Sequence, residues 1–335
     1  MTNSVYLHDQ ISKQMVKTNS PGNKPIASLS MDLDNLWSYM KDHGDPGWET
    51  LPSYLDIVVP RFLDIFKQLN LTITVFVVGQ DAALKKNHQA LQAIAADGHE
   101  IANHSFHHNI WLNRYSEDEV EQELALAQKH IQQATGQSPV GFRSPGYSLS
   151  PTVLQVLARQ EYQYDASIFP TFLGPIARAY FMMTCKLSKE ERAKRKALFG
   201  SFKDGLQTLK PYQWCMGKYK LTEIPVTTMP IFKMPIHFSY LMYLGVFSPS
   251  LALLYFRIAL WLCKVTGTQP SLLLHPTDFL TQEDVPELAF FPSMNLPTYK
   301  KLAMLRKALK LLSNQFNVLT VGQHAASLTR VRQPV

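Results

Sequence analysis

The sequence predicts an α/β fold in which parallel strands alternate with amphipathic helices. Three observations carry this prediction: short runs rich in β-branched residues, longer stretches with apolar residues at helical spacing, and polar connections between them. An alternation of strand and helix gives parallel connections, which suit a barrel or a doubly wound sheet. The chain has 335 residues, of which 46% are hydrophobic, and this is enough to bury a large core.

The first half of the chain shows this alternation. Residues 71–78 are rich in β-branched side chains, as in a strand that is buried on both faces. Residues 52–68 place apolar side chains at helical spacing behind a proline, and Ser116 and Glu119 have the spacing of a capping box. We therefore expect strands at 26–33, 71–78, 99–103, 140–143 and 162–165, and helices at 52–68, 82–96, 116–135 and from 150 onward.

A long insertion spans residues 171–270 and contains one expected strand at 221–226. The alternation resumes after it, with strands expected at 271–274 and 316–321 and a helix at 296–313. The second half of the insertion is mostly apolar but contains Arg257 and a Ser-Pro-Ser turn. This pattern predicts two short helices around the turn and disfavours a membrane span. Two interpretations of this helix pair stay open: extra core or an oligomer contact, or a segment that lies in a membrane interface.

Positive charge is concentrated in the first half of the insertion. The formal net charge is +7, and residues 186–220 carry ten Lys or Arg against three Asp or Glu. Such a patch predicts an anionic partner, although nucleic acid is disfavoured because no recognition elements are interleaved with the charges. Residues 1–24 are polar and aperiodic without the apolar segment of a signal peptide, so we expect a disordered N-terminus and a cytoplasmic protein.

Two acids follow the first expected strand, at the strand end where parallel α/β folds place their functional sites. Because side chains alternate along a strand, Asp32 and Asp34 point the same way. Two unpaired carboxylates repel each other, and a bound cation relieves the cost. The alternative is a pair of solvated cap or loop residues.

Two histidines follow the strand at 99–103. His104 and His108 are four residues apart, so that on one helical turn both imidazoles would face the same side. Two imidazoles and one carboxylate suit zinc, nickel, cobalt or iron(II), and three protein ligands leave positions open for water and substrate. The sequence therefore predicts a catalytic metal site.

Three more expected strands end in polar residues: Arg143 in GFRSPGYS, Asp165 in YDAS and His275 after SLLL. The series DLD, HSFHH, RSPGY, YDAS and LLLH resembles the five motifs of the polysaccharide deacetylases, the NodB-like carbohydrate esterases of family 4. The resemblance covers roughly residues 25–167 and 221–322.

The resemblance implies an irregular (β/α) barrel of about seven strands, to which this chain adds a long helical insertion. With the N-terminal 24 residues excluded, residues 25–335 are expected to form a single deacetylase-like domain. Within the insertion, residues 171–220 and 229–270 are not accounted for by the resemblance.

The resemblance also implies the central residues of an active site. Asp34, His104 and His108 would bind one divalent metal, with zinc the first choice before nickel, cobalt and iron. Asp32 would be the general base and His275 the general acid.

Supporting roles are implied for residues around this centre. Arg143 would hold the general base, and Asp165 would orient a charged neighbour. Tyr147, which could also offer its backbone N–H to the oxyanion, Phe169 and Trp37 are the expected substrate contacts. Phe169 replaces the tryptophan that is common in the family, which alters the acyl pocket, and Trp37 either stacks on a sugar or packs in the core.

The function implied is a metal-dependent hydrolase that removes an N-acyl group, taken as acetyl, from an amino sugar. The amino sugar belongs to a polysaccharide or to a lipid-linked glycan, and the basic and apolar insertion is the feature that points to a lipid carrier. The insertion also favours peripheral contact of residues 186–267 with the inner face of a membrane. Alternatives are a deformylase of a lipid-linked amino sugar, a hydrolase of a small cyclic amide, and a non-catalytic carbohydrate-binding or scaffold barrel. The joint presence of Asp32 and His275 favours an enzyme, because a binding module needs neither.

Overall fold

The fold is built on a mostly parallel sheet. The computed structural model describes residues 11–15, 24–176, 179, 183, 185–188 and 202–329. Its strands are β1 Ile11–Met15, β2 Ile26–Asp32, β3 Thr74–Val77, β4 Glu100–Asn103, β5 Gly141–Phe142, β6 Tyr164–Asp165, β7 Tyr212–Met216, β8 Tyr219–Glu223, β9 Ser271–Leu274 and β10 Asn317–Leu319.

The helices begin at signals that are visible in the sequence. Ser116 forms a capping box with Glu119, and the Ser150 and Ser248 side chains each accept a backbone N–H at a helix start. The helices are α1 Leu36–His43, α2 Leu55–Leu69, α3 Gly79–Ala83, α4 His88–Ala96, α5 Glu117–Thr135, α6 Pro151–Arg159, α7 Phe238–Phe247, α8 Pro249–Val265, α9 Thr298–Gln315 and α10 Val321–Thr329.

Seven parallel strands of the described chain close into a ring. Parallel pairing runs from β2 through β3, β4, β5 and β6 to β8, and β9 pairs with β2. The ring closes between β8 and β9 through Thr227, whose N–H donates to the carbonyl of Ser271 at 2.9 Å. The Thr227 hydroxyl accepts the N–H of Ser271 at 2.8 Å. The expected irregular barrel of about seven strands is confirmed, and β1, β7 and β10 extend it from outside.

The main core joins the barrel to the apolar helices of the insertion. All seven residues of β2 are buried, as expected of a central parallel strand. Phe238 of α7 and Phe256 and Leu260 of α8 are buried in the same cluster as β2, β3 and α2. The two expected short helices are present, and their inner faces are part of the core.

Two expectations about the outer segments are wrong. Residues 11–15 are not disordered, because β1 pairs antiparallel with β7 and the Lys13 ammonium lies 4.9 Å and 4.6 Å from the ring centroids of Tyr212 and Trp214. The first half of the insertion is also less helical than expected, since β7 and part of β8 form an antiparallel hairpin there. Residues 189–201, which hold half of the predicted basic cluster, lie outside the described residues.

The helices differ from expectation at two places. The expected helix at 82–96 is divided into α3 and α4 by the short 3-10 turn Lys85–Asn87. Helix α1 was not expected. Asn35 caps its first turn, because the Asn35 side chain accepts the N–H of Leu36. In the described part of the chain, every helix is too short or too polar to cross a lipid bilayer.

Candidate active site

The carboxyl ends of the parallel strands surround a cavity of about 190 Å³. Residues from β2, the loop after β4, the loop after β5 and the end of β9 meet there, although they are far apart in sequence. The lining residues are Asp32, Asp34, Tyr39, Asp42, His104, His108, Ile110, Ser144, Gly146, Tyr147 and His275.

Asp34, His104 and His108 form a compact cluster in this cavity. All three side chains are buried, and one ligand atom from each lies within 4.8 Å of the others. The Nε2 atoms of His104 and His108 are 3.3 Å and 3.1 Å from Oδ1 of Asp34. The structure therefore brings together the three residues that the sequence indicates as metal ligands.

The surroundings of the two imidazoles fit a metal site. Nδ1 of His104 lies 2.7 Å from the carbonyl oxygen of Arg143, which can only accept, so Nδ1 carries the proton. Nε2 of His104 faces the carboxylate of Asp34, in the position of a metal ligand. Nδ1 of His108 lies 3.7 Å from Oδ2 of Asp42, which is beyond hydrogen-bond distance. An outer acceptor such as the Arg143 carbonyl orients a metal-binding imidazole, so the donor set fits a divalent ion.

Electrostatics keep the Asp34 carboxylate charged. Burial raises the pKa of Asp34, but the charges and hydrogen bonds of His108 and His104 outweigh it and leave this pKa well below its usual value. Burial lowers the pKa of His108, and the neighbouring Asp34 raises it by more. The site is therefore suited to positive charge.

A bent loop after β4 carries the two histidines, so the expectation of a helical turn is wrong. Ser105 and His108 have positive φ angles of 63° and 51°. Oε1 of Glu123 in α5 accepts the N–H groups of Phe106 at 3.0 Å and His107 at 2.6 Å, and its Oε2 lies 2.8 Å from Nδ1 of His107. A single carboxylate thus holds the loop in the shape that aims both imidazoles at Asp34.

Asp32 is held by a buried arginine. Nη1 of Arg143 donates to Oδ1 of Asp32 at 2.7 Å and to the hydroxyl of Ser30 at 2.9 Å. Nε of Arg143 donates to the carbonyl of Ala166 at 2.9 Å, and the guanidinium lies 4.2 Å from the ring centroid of Phe76. The charge and fixed position of Arg143 keep Asp32 available as a proton acceptor.

Asp165 lies behind this pair and does not line the cavity. Its Oδ1 accepts the hydroxyl of Ser167 at 2.6 Å. Burial raises the pKa of Asp165, and the hydrogen bonds with Glu223 and Ser167 and the charge of Arg143 oppose this rise. Burial, followed by the charge of Asp165, raises the pKa of Glu223 well above its usual value, which favours the protonated form of Glu223. This acid pair could not be expected from the sequence, since Glu223 sits in an ordinary strand pattern.

His275 lines the cavity and is held by two further residues. Nδ1 of its ring lies 3.0 Å from the hydroxyl of Ser239. Its backbone N–H donates to Oδ2 of Asp278 at 2.9 Å. Burial raises the pKa of Asp278, and the charge of His275 opposes this. Ser239 belongs to α7, so the insertion reaches the active site, which the sequence did not indicate.

The three expected substrate contacts have different positions. Tyr147 lines the cavity, and its ring stacks on Phe169 with centroids 4.9 Å apart. The N–H of Tyr147 donates to the carbonyl of Ser144 at 3.1 Å, so it is already used within a turn. Trp37 is only 2% exposed and donates its indole N–H to Asp81 at 3.0 Å. A role for Trp37 in substrate contact is wrong, because the ring is packed in the core.

Comparison with known proteins gives matches over part of the chain. Residues 45–164 match the family model described as polysaccharide deacetylase. A peptidoglycan deacetylase of Helicobacter pylori is 26% identical over 159 residues, which are 45% of this chain and 52% of the relative. A peptidoglycan-N-acetylmuramic acid deacetylase of Bacillus subtilis is 33% identical over 105 residues, 31% of this chain and 39% of the relative. The chain thus spans about half or less of the length of these relatives.

Two solved structures match almost the whole chain. One, assigned to the polysaccharide deacetylases of Mycobacterium smegmatis, has a TM-score of 0.59 at 19% identity and covers 95% of this chain and 96% of its own. The other, from Pseudomonas aeruginosa, has a TM-score of 0.59 at 18% identity and covers 94% and 96%. At these identities the likeness shows a shared fold.

Proposed function

We propose that this chain, whose residues 45–164 match the polysaccharide deacetylase family model, is a metal-dependent N-deacetylase of an amino sugar. One observation carries the proposal: the Asp34, His104 and His108 cluster shares a single cavity with Asp32 and His275. A ligand set, a held carboxylate and an imidazole around one cavity are the parts that amide hydrolysis requires.

Each residue has a defined task in this reaction. A divalent ion held by the three ligands, with zinc the first choice, would supply Lewis-acid activation of the acyl carbonyl and of water. Asp32 takes the proton of the attacking water, because the hydrogen bond from Arg143 holds its carboxylate in place at the cavity. His275 gives a proton to the departing nitrogen as the C–N bond breaks. The products are a carboxylate and the free amino sugar.

The finer proposal concerns the substrate and its location. We propose an acetylated amino sugar on a polyprenyl-phosphate lipid, with a formyl group as the alternative acyl group. Support comes from α7, which contacts His275 through Ser239 and belongs to an apolar helix pair. Location at the cytoplasmic face of a membrane stays a prediction from the sequence.

Release of acetate and formate tests the proposal. Protein loaded with zinc should be incubated with N-acetyl and N-formyl amino sugars as free sugars, as peptidoglycan or chitin fragments, and as polyprenyl-linked forms. We expect acetate from the lipid-linked N-acetyl sugar at the highest kcat/KM. Formate as the main product would reassign the acyl group, and a preference for fragments would reassign the carrier. Release from none of these by metal-loaded protein would contradict deacetylation and favour a carbohydrate-binding barrel.

Replacing Ser239 with alanine should slow amide hydrolysis by about fivefold in kcat with little change in KM. The hydroxyl contributes the hydrogen bond at Nδ1 that orients His275, and such a bond is worth about 1 kcal/mol. Ser239 acts through His275, which protonates the leaving group, and an acidic alcohol can leave without that proton. The variant should therefore hydrolyse an O-acetyl ester with an acidic leaving group at a nearly unchanged rate. Steady-state kinetics on both substrates measure this difference.

Ser250→Ala is the matched control, since Ser250 is exposed in α8 of the same helix pair. It should leave both activities unchanged. Equal slowing of the amide and the ester by Ser239→Ala would mean that Ser239 only supports the local fold.

A further inference from the structure

The helix pair α7 and α8 presents an apolar stripe to solvent. The members on α8 are three or four residues apart, so they follow one side of that helix, and Phe247 is the last residue of α7. The opposite side of α8 packs into the core through Ala252, Phe256 and Leu260. The stripe, which we call the α8 outer face, is 45% to 87% exposed and consists of Phe247, Leu251, Leu254, Ile258, Trp261 and Val265.

The charged side chains of α8 are both positive. Arg257 and Lys264 are exposed on the same helix. The sequence contains no Asp or Glu between Glu223 and Asp278. A surface that combines apolar side chains, a tryptophan and cations suits the boundary between acyl chains and anionic headgroups.

A neighbouring turn adds two more apolar side chains. Ile231 and Phe232 are largely exposed at the tip of the loop that precedes α7. The hydroxyl of Tyr255 in α8 donates to the carbonyl of Pro235 at 2.8 Å, which fastens this loop beside the helix. Ile231 has a positive φ of 72°, which is costly for a β-branched residue. The backbone of this apolar tip is therefore strained.

We propose that the α8 outer face docks on an anionic lipid bilayer and lies in its interface. A contiguous apolar stripe of this kind on a soluble surface marks an interaction site. Two copies of the face packed together would bring cations near cations with no acid on α7 or α8 to pair them. Anionic lipid headgroups supply the missing negative charge, so the bilayer is the occupant that the charges favour.

Docking would place the active site beside the membrane surface. Ser239 on α7 contacts His275 at 3.0 Å, so the helix pair that meets the lipid also holds the residue assigned as general acid. For the nature of the substrate this inference rests on the proposed function, since a lipid-linked sugar would be presented from the same surface. Membrane binding itself needs no catalysis, so the docking inference and the proposed deacetylase function can fail separately.

Vesicle co-sedimentation of the full chain tests the inference. At low salt we expect capture by phosphatidylcholine vesicles that contain phosphatidylglycerol and much weaker capture by phosphatidylcholine alone. The double variant Leu254→Glu/Trp261→Glu should weaken capture by roughly tenfold or more. Arg257→Glu/Lys264→Glu should weaken it by a similar factor and reduce its salt dependence. Trp261 fluorescence should shift to the blue with anionic vesicles, and the shift should be lost in Trp261→Phe.

Two matched controls separate the α8 outer face from general effects. Met15→Glu changes a residue on β1 that is 53% exposed, against 52% for Leu254, and should leave capture unchanged. Lys67→Glu/Lys129→Glu makes the same change of net charge on α2 and α5, both at exposed positions, and should weaken capture far less. Circular dichroism checks that each variant is folded.

The opposite results would overturn the inference. Absence of capture by anionic vesicles at low salt, or capture that the outer-face variants do not reduce, contradicts membrane docking. A dimer in light scattering that Leu254→Glu/Trp261→Glu dissociates, without vesicle capture by the wild type, would assign the face to a second copy of the chain.

Discussion

Replacing His104 with alanine is expected to remove the bound divalent ion and with it almost all deacetylase activity. The change deletes one of three clustered ligands, and Asp34 and His108 alone give a poor site for a first-row metal. Metal content should fall from about one ion per chain to near zero. Activity should fall by at least about 10³-fold, because a catalytic metal supplies several kcal/mol of transition-state stabilisation. Mass spectrometry of metals and acetate release measure the two effects.

His107→Ala is the matched control for this prediction. His107 is the neighbouring imidazole in the same loop, but its Nδ1 faces Glu123 and the residue is not part of the ligand cluster. The variant should keep its metal and most of its activity. If His104→Ala kept full metal and full turnover, the assignment of the metal site would be wrong.

Replacing Asp32 with asparagine should leave the metal bound but lower kcat by about 10²–10⁴-fold, the usual contribution of a positioned base. Asparagine has the same shape, and its carbonyl oxygen can still accept the hydrogen bond from Nη1 of Arg143. It cannot accept a proton from water. The fold and the cavity are therefore retained while the proton acceptor is lost.

Asp34→Asn provides the comparison, because it also replaces one carboxylate oxygen by an amide nitrogen, at the other acid of the pair. This variant should lose metal affinity first and activity as a consequence, whereas Asp32→Asn should lose activity alone. Normal turnover in metal-loaded Asp32→Asn would assign the general base to another group. Loss of metal in both variants would mean that Asp32 is itself a ligand.

The position of the active site could be predicted because parallel strands bring their carboxyl ends together. Asp32, Asp34, His104 and His275 all follow apolar runs that read clearly as strands, so their meeting in space followed from the fold. Arg143 was also found this way, since it ends a short strand before a turn rich in Pro and Gly.

The residues that hold the site in shape could not be predicted, because their contacts join distant parts of the chain. Ser239 meets His275 from 36 positions earlier, across an insertion that the motif pattern does not include. Glu123 binds the loop that carries His104 and His108 from the middle of an otherwise ordinary amphipathic helix, 16 positions after His107. Such partners become visible only when the backbone path is known.

Local pattern was also insufficient where tertiary contacts decide the conformation. The four-residue spacing of His104 and His108 is typical of a helix, yet hydrogen bonds to Glu123 stabilise a bend with positive φ angles. Strand β1 is polar by itself and is formed through pairing with β7, which lies about 200 positions later. Trp37 is placed in the core by its hydrogen bond to Asp81, which no spacing rule reveals.

The closure of the ring at Thr227 has a consequence for how this protein can change in evolution. At this joint Thr227 pairs with Ser271 through its backbone N–H and its side-chain hydroxyl, and not through a continuous run of strand hydrogen bonds. The pairing therefore does not fix the length of the chain between these two residues. Lengthening that connection is inexpensive, since doubling a loop costs only about 0.6 kcal/mol in closure entropy. The helices α7 and α8 lie between the two residues of this joint, so the loops at the ends of this segment can change in length without opening the ring, whereas the buried faces of the two helices and the contact of Ser239 with His275 constrain the helices themselves.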